Sequence, residues 1–286
     1  MPHLSSAKVL DYRSEAFRMH PNLRVKSKEE AINFVNQRGF IYFWPIKDII
    51  LPSLWASVAG ERPVADAHDD PGHVTWGWKD ALLGERVWYY AKVLRDRATI
   101  ISLDIAPFFY ALSENYGAPD EDYLTLYEQG RLTQEAKQVY EALLEHGILD
   151  TVELRKASRL TNPDSDSRFN RALTDLQVDF KILPVGVTDA GAWHYAFAYD
   201  IVPRHYPNLP DLAQKISEHE ARTKLIFLYL KSVGVARLQD IIKLFRWNAN
   251  HVGKAIESLI NTGKIVGDFT LETQPGTWYA IKNLLQ

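Results

Sequence analysis

The chain has 286 residues, 46% of them hydrophobic and 24% charged, with a formal net charge of −3 and no cysteine. This composition describes an ordinary globular protein long enough for two or three small domains, and it excludes disulfide frameworks and thiolate metal sites. It also excludes a uniformly basic duplex-binding surface, so any phosphate-neutralising patch must be local.

Residues 1–26 carry scattered charges without a sustained period and read as an arm draped over another part of the chain. The first residues lack a signal-peptide core, and no run reaches membrane-spanning length, so a cytoplasmic protein with no membrane partner is expected. A domain over residues 27–126 opens with a capping box from Ser27 to Glu30, and its helix runs through Ile32, Phe34 and Val35 to Gly39. Residues 40–44 are strand-like and stop at Pro45, and residues 51–60 predict a helix with proline in its first turn. A polar loop, 61–73, precedes the stretch 74–80. Residues 87–94 and 98–103 then form a predicted hairpin around Arg95, Asp96 and Arg97. Helix, helix, third segment and hairpin outline a degenerate winged helix. Residues 105–116 read as helical, and the run from Ala118 to Asp122 reads as a junction.

The region 127–205 reads as a complete winged helix. A cap at Thr133 opens a helix with Val139, Tyr140, Leu143 and Leu144 apolar, closed by Gly147. A short helix follows over 151–160. The third has Phe169, Ala172, Leu173 and Leu176 at i, i+3, i+4 and i+7, opposite Arg168, Asn170, Arg171, Thr174 and Gln177. Runs 180–187 and 193–202 close the unit around a small-residue tip, Thr188 to Ala192. After a junction at Pro207 and Pro210, residues 211–286 repeat the order. Gly147 maps to Gly234, Phe169 to Ile256 and Leu173 to Ile260 at an offset of 234 − 147 = 87, while Trp193 maps to Trp278. The expected fold class is mainly α with small β-hairpins, α+β, as tandem winged helices.

A stretch reading Gly39-Phe-Ile-Tyr-Phe-Trp-Pro-Ile46, and the phrase Trp76-Gly-Trp-Lys-Asp-Ala-Leu-Leu83 ahead of an aromatic hairpin, resemble the AlkZ-type DNA glycosylase superfamily over about residues 30–280. These are bacterial proteins of tandem winged helices that excise alkylated or crosslinked bases. The resemblance implies double-stranded DNA as partner and a DNA-repair role. The family's catalytic segment carries Gln-x-Gln or Gln-x-Asp. Aligned through Gly39, this chain has Tyr42, Phe43 and Trp44 there, so the catalytic pair does not carry over.

Other residues must therefore supply any chemistry. Asp66, His68, Asp69, Asp70 and His73 crowd one loop beside Trp76, Trp78, Lys79 and Asp80. A glycosylase needs a carboxylate to activate water or stabilise an oxocarbenium-like sugar, and aromatics to hold a base out of the stack. Asp66, Asp69 and Asp70, with His68, are the catalytic candidates on this reading. Tyr42, Trp44, Trp76, Trp78 and Lys79 would shape the pocket. The same donors suit a divalent cation, and the plainer alternative is a solvated turn; neither metal nor cofactor is assigned. Arg168, Asn170 and Arg171, then His251 and Lys254, are the candidate DNA contacts, set against a purely solvated face. A non-catalytic DNA-binding protein and a protein-docking scaffold stand beside the divergent glycosylase.

Overall fold

In the computed structural model, which describes residues 3–191, 193–272 and 274–285, one order of elements is built three times. Met1 and Pro2 of the expected arm and Ala192 of the expected hairpin tip lie outside the described residues. The chain begins with β1 (His3–Leu4) and α1 (Ser6–Ala16). The first unit is α2 (Lys28–Arg38), β2 (Phe40–Tyr42), α3 (Leu54–Ala59), α4 (Val74–Leu82), β3 (Trp88–Lys92) and β4 (Ala98–Ser102). After α5 (Ala106–Tyr110) and α6 (Pro119–Glu128) comes the second: α7 (Gln134–His146), β5 (Leu149–Asp150), α8 (Thr151–Ala157), α9 (Asp166–Val178), β6 (Ile182–Thr188) and β7 (Ala196–Ile201). Short helices α10 (Val202–His205) and α11 (Leu209–Ala213) lead to the third. It comprises α12 (Glu218–Val233), β8 (Val235–Arg237), α13 (Leu238–Phe245), α14 (Ala249–Asn261), β9 (Ile265–Leu271) and β10 (Gln274–Ile281).

Local chemistry sets the first helix of each unit. The hydroxyls of Ser27, Thr133 and Ser217 accept the backbone N–H of Glu30, Ala136 and Glu220, and Gly39, Gly147 and Gly234 end the helices at positive φ. In every unit the first strand lies beside the last, as β2-β4-β3, β5-β7-β6 and β8-β10-β9. Strand β1 extends the third sheet, pairing parallel to β9 with Leu4 opposite Leu271. The N-terminal segment thus joins the far end of the chain, and Arg13 of α1 donates to the carbonyls of Val233 and Val235.

Several expectations change. Residues 6–16 form a helix despite weak periodicity, started by the Ser5 cap. Pro52 precedes its helix, which Ser53 caps. The helix expected over 105–116 stops at Tyr110, and the junction at Ala118 holds α6, where Pro119 and three first-turn acids favour a helix start. The repeat register also differs. Helices α9 and α14 both span 13 residues and start 249 − 166 = 83 positions apart, so Phe169 matches Val252 and Leu173 matches Ile256. Ile260 is 38% exposed, and Leu259 takes the buried place. Trp278 is buried in β10, whereas Trp193 lies in the loop before β7 and is 89% exposed.

One apolar cluster runs through all three units, from Phe40, Tyr42 and Tyr89 through Phe180 to Leu225 and Leu244. Phe180 occupies the turn from α9 to β6 at φ 55. Its ring stacks on Tyr89 at 4.6 Å and lies near-parallel to Phe109 at 6.2 Å. Beside it the buried Lys181 donates to Asn115 Oδ1 (2.8 Å), and Asn115 Nδ2 donates to the Asp179 carbonyl (2.7 Å). Burial pushes the Asp179 carboxyl up to about 6, against the pull of Lys181.

Because the three units share that cluster, urea unfolding should be one transition, and Phe180→Ala should lose about 3–5 kcal/mol. Independent transitions would contradict the shared core. An acid whose folded pKa is raised holds its proton more tightly folded than unfolded. Unfolding free energy should therefore fall as pH climbs from 3.8, the ordinary value, toward 6. Asp179→Asn should flatten that slope and gain about 2 kcal/mol at neutral pH, read from urea midpoints across the pH range.

Candidate functional site

The polar loop does not gather its carboxylates into a catalytic set. Asp70 receives two bonds from the Arg62 guanidinium, at 2.6 and 3.0 Å, and accepts the Gly72 N–H at 2.7 Å to start the turn that leads into α4. These bonds hold its carboxyl below the usual range. Asp66, His68 and Asp69 are exposed and make no hydrogen bond or ion pair among the described residues. His73 Nε2 donates to the Ala65 carbonyl at 2.9 Å. Among the described residues no three His, Asp or Glu side chains are placed to hold a metal ion. Asp70 is a turn cap and ion-pair partner.

The geometry instead centres on Lys79. It lies on the inward face of α4 with Thr75 and Leu82 and is only 3% exposed. Its ammonium donates to Tyr195 Oη at 2.8 Å and pairs with Asp80 Oδ1 at 2.8 Å; Tyr195 Oη donates onward to the same Asp80 oxygen at 2.9 Å. Five rings surround the amine: Phe197 at 4.5 Å, Tyr195 at 5.5 Å, Tyr90 at 5.6 Å, Phe43 at 5.7 Å and Trp76 at 5.8 Å. Desolvation lowers the pKa of Lys79, and Asp80 opposes that shift. Cation–π attraction and the ion pair together keep a buried ammonium tolerable. The cage draws Phe43, Trp76 and Tyr90 from the first unit and Tyr195 and Phe197 from the hairpin of the second.

Outside this cage the aromatics continue to the surface. Trp76 and Tyr195 lie nearly parallel, 14° apart with centroids at 6.5 Å, and are 44% and 39% exposed. Trp76 then meets Trp44 (6.1 Å) and His73 (6.1 Å), and both of these reach the buried Trp55. Of the expected pocket residues, Trp44, Trp76 and Lys79 come together. Trp78 packs against the first unit's core. Tyr42 is fully buried in the shared cluster, because β2 ends there and the alternation expected through Trp44 is lost. Its hydroxyl lacks a hydrogen-bond partner. Tyr195 escaped the sequence reading, although its signal, an aromatic-rich hairpin next to Trp193, was present.

The candidate DNA contacts divide. Arg168 pairs with Glu135 at 2.9 Å and Arg171 with Asp175 at 3.5 Å, so α9 presents its cations already matched. Gln177, expected on the exposed face, is buried and accepts the Lys92 N–H, because α9 packs against β3. Asn170 is exposed. His251 and Lys254 are exposed on α14 and have no ion-pair partner among the described residues.

A family model described as AlkZ related matches residues 25–246. Among solved structures, the Streptomyces sahachiroi DNA glycosylase AlkZ superposes with a TM-score of 0.56 at 11% sequence identity, covering 98% of this chain and 71% of that chain. Among curated proteins no match is found. Among the described residues no helix is long and apolar enough to cross a membrane.

Lys79→Ala should empty the cage and leave Asp80 without its cation, losing about 3 kcal/mol in urea unfolding. Lys79→Met, which refills the apolar volume, should lose less, about 1 kcal/mol. Equal losses would show that the apolar volume contributes nothing and that the whole loss comes from the charge.

Proposed function

The chain belongs to the AlkZ-related family, and from that membership we propose that it is a DNA-repair-related protein that binds double-stranded DNA and recognises a damaged or alkylated base without excising it. Each of the three units is read here as a winged helix, with α4, α9 and α14 as third helices. The observation that carries the reading is the exposed, near-parallel pair Trp76 and Tyr195, with Trp193 standing free beside it. Large aromatic surface left in water is unfavourable unless a partner covers it, and stacked rings at the seam of two units suit a base that has left its stack. Lys79 and Asp80 fix the Tyr195 hydroxyl, so the platform is rigid before any ligand arrives. The matched cations of α9 leave the outer face of α14, with His251 and Lys254, as the better phosphate contact.

Excision by the loop carboxylates has less support. Asp70 is engaged by Arg62, and Asp66 and Asp69 meet no base or orienting group.

The test is binding of a labelled duplex, plain and alkylated, over a salt series, with the products then heated in alkali. Binding should weaken with salt, favour the alkylated duplex and leave the strand intact. Trp76→Ala combined with Trp193→Ala should remove that preference, a loss of about tenfold for one stacked base. Lys254→Glu should weaken binding more than Arg171→Glu. Strand cleavage after alkali would show excision, and no binding at low salt would leave a protein-docking scaffold.

A further inference from the structure

We infer that the cavity between the first unit and the α10–α11 linker is a binding site for a small organic monocarboxylate, with Arg86 as its counter-ion. The cavity has a volume of about 300 Å³. Drug-sized ligands occupy roughly 300–1,000 Å³, so this space takes a molecule of about one ring. Its walls are apolar: Leu103 and Ala106 where β4 runs into α5, and Tyr206, Leu209 and Leu212 of the linker. The Tyr206 ring is held in place, because its hydroxyl donates to the Trp88 carbonyl at 2.7 Å and its centroid lies 6.1 Å from that of Tyr89. The cavity shares no residue with the Lys79 cage.

Three polar side chains of this lining have capacity to spare. Arg86, in the turn between α4 and β3, is exposed and makes no hydrogen bond or ion pair among the described residues. Asn208 precedes α11 without its side chain capping that helix. His205 is only 6% exposed, and its Nε2 is buried with no hydrogen-bond partner, a costly state for a polar atom. The acid nearest to these groups is already engaged. Asp200 is bonded to Arg204 at 2.8 Å and to the Ile201 N–H, and Arg204 also donates to the carbonyls of Leu143 and Leu144. Burial and the Arg86 charge push the His205 imidazole down to about 4. At neutral pH it therefore offers a hydrogen bond and not a second charge.

These groups select the ligand. An apolar body fills the walls, and one anionic head meets one guanidinium, whose planar fork matches a carboxylate with two parallel bonds. The Asn208 amide donates to the same head, and the head offers the imidazole the hydrogen bond it lacks. A phosphate dianion would bring a second charge with no second cation to receive it, beside the Asp200 carboxylate. A neutral ring would gain contact area alone and leave Arg86 unmatched. No nucleic acid is needed for any of these contacts, so the site stands independently of the DNA-binding reading.

The experiment is calorimetric titration of the full chain at neutral pH with benzoate, benzamide and phenyl phosphate, for wild type and Arg86→Gln. The wild type should bind benzoate about tenfold more tightly than benzamide, as one charge-assisted pair allows, and the variant should lose that preference while its benzamide affinity stays unchanged. Arg86 is exposed, so the variant should keep the wild-type urea midpoint, and its loss is then one of binding. Leu212→Trp, which fills the cavity from a position 49% exposed, should abolish benzoate binding. The His205 ring-proton resonances of the wild type should move along the benzoate saturation curve. Equal affinity for benzoate and benzamide, or no benzoate binding at millimolar concentration, would overturn the inference. So would a preference surviving in Arg86→Gln, benzoate binding surviving in Leu212→Trp, or tighter binding of phenyl phosphate than of benzoate.

Discussion

The ring of Phe180 is the contact on which the arrangement of the three units depends. It sits one residue beyond the α9 cap, in a left-handed conformation that an L-residue adopts at a cost of order 1 kcal/mol. Its position between Tyr89 of the first unit and Phe109 of the following helix more than offsets that strain. A fixed Phe180 also fixes its neighbours. Lys181 is carried inside and satisfied by Asn115 and a carbonyl, while Asp179 is carried to the edge of a cavity and is not. The same contact thus places a buried lysine and a partly buried carboxylate on either side of the ring.

Part of the charge elsewhere is paired within the protein. Arg62 with Asp70, Arg155 with Asp166, Arg168 with Glu135, Arg204 with Asp200 and Arg246 with Asp96 tie cations to anions, mostly across loops and helix ends. A net charge of −3 is therefore not spread evenly. On the proposed DNA-binding reading, an acidic chain gains less from counterion release than a basic domain does, and contacts other than phosphates, such as those of exposed Trp76, Trp193 and Tyr195, must contribute more.

The order of elements was legible because it is written in local chemistry. Hydroxyl caps at Ser27, Thr133 and Ser217 and closing glycines at Gly39, Gly147 and Gly234 act within one helical turn, so a sequence window contains them whole. Helices α1 and α6 were missed because each is short and weakly amphipathic, held by packing rather than by its own pattern. The site was less legible for a related reason. Whether a tryptophan is core or platform depends on what lies opposite: Trp278 pairs across a sheet, Trp193 does not, and their local sequences look alike. The partner of Asp70, Arg62 eight residues earlier, is not legible from the loop's own sequence.

The segment through positions 42 to 44 shows how a shared fold can change its chemistry. The resembling family is expected to carry glutamine, which donates and accepts, or an acid, which when ionised accepts only. Tyr42 offers one hydroxyl, buried without a partner, with Arg95, Arg246 and Arg97 the nearest cations acting on it. Trp44 offers only an indole, edge-on to Phe43 and beside Trp55 and Trp76. Both place ring surface where the resembling family has an amide or a carboxylate. The aromatic packing at positions 42 to 44 is the same packing that builds the first unit.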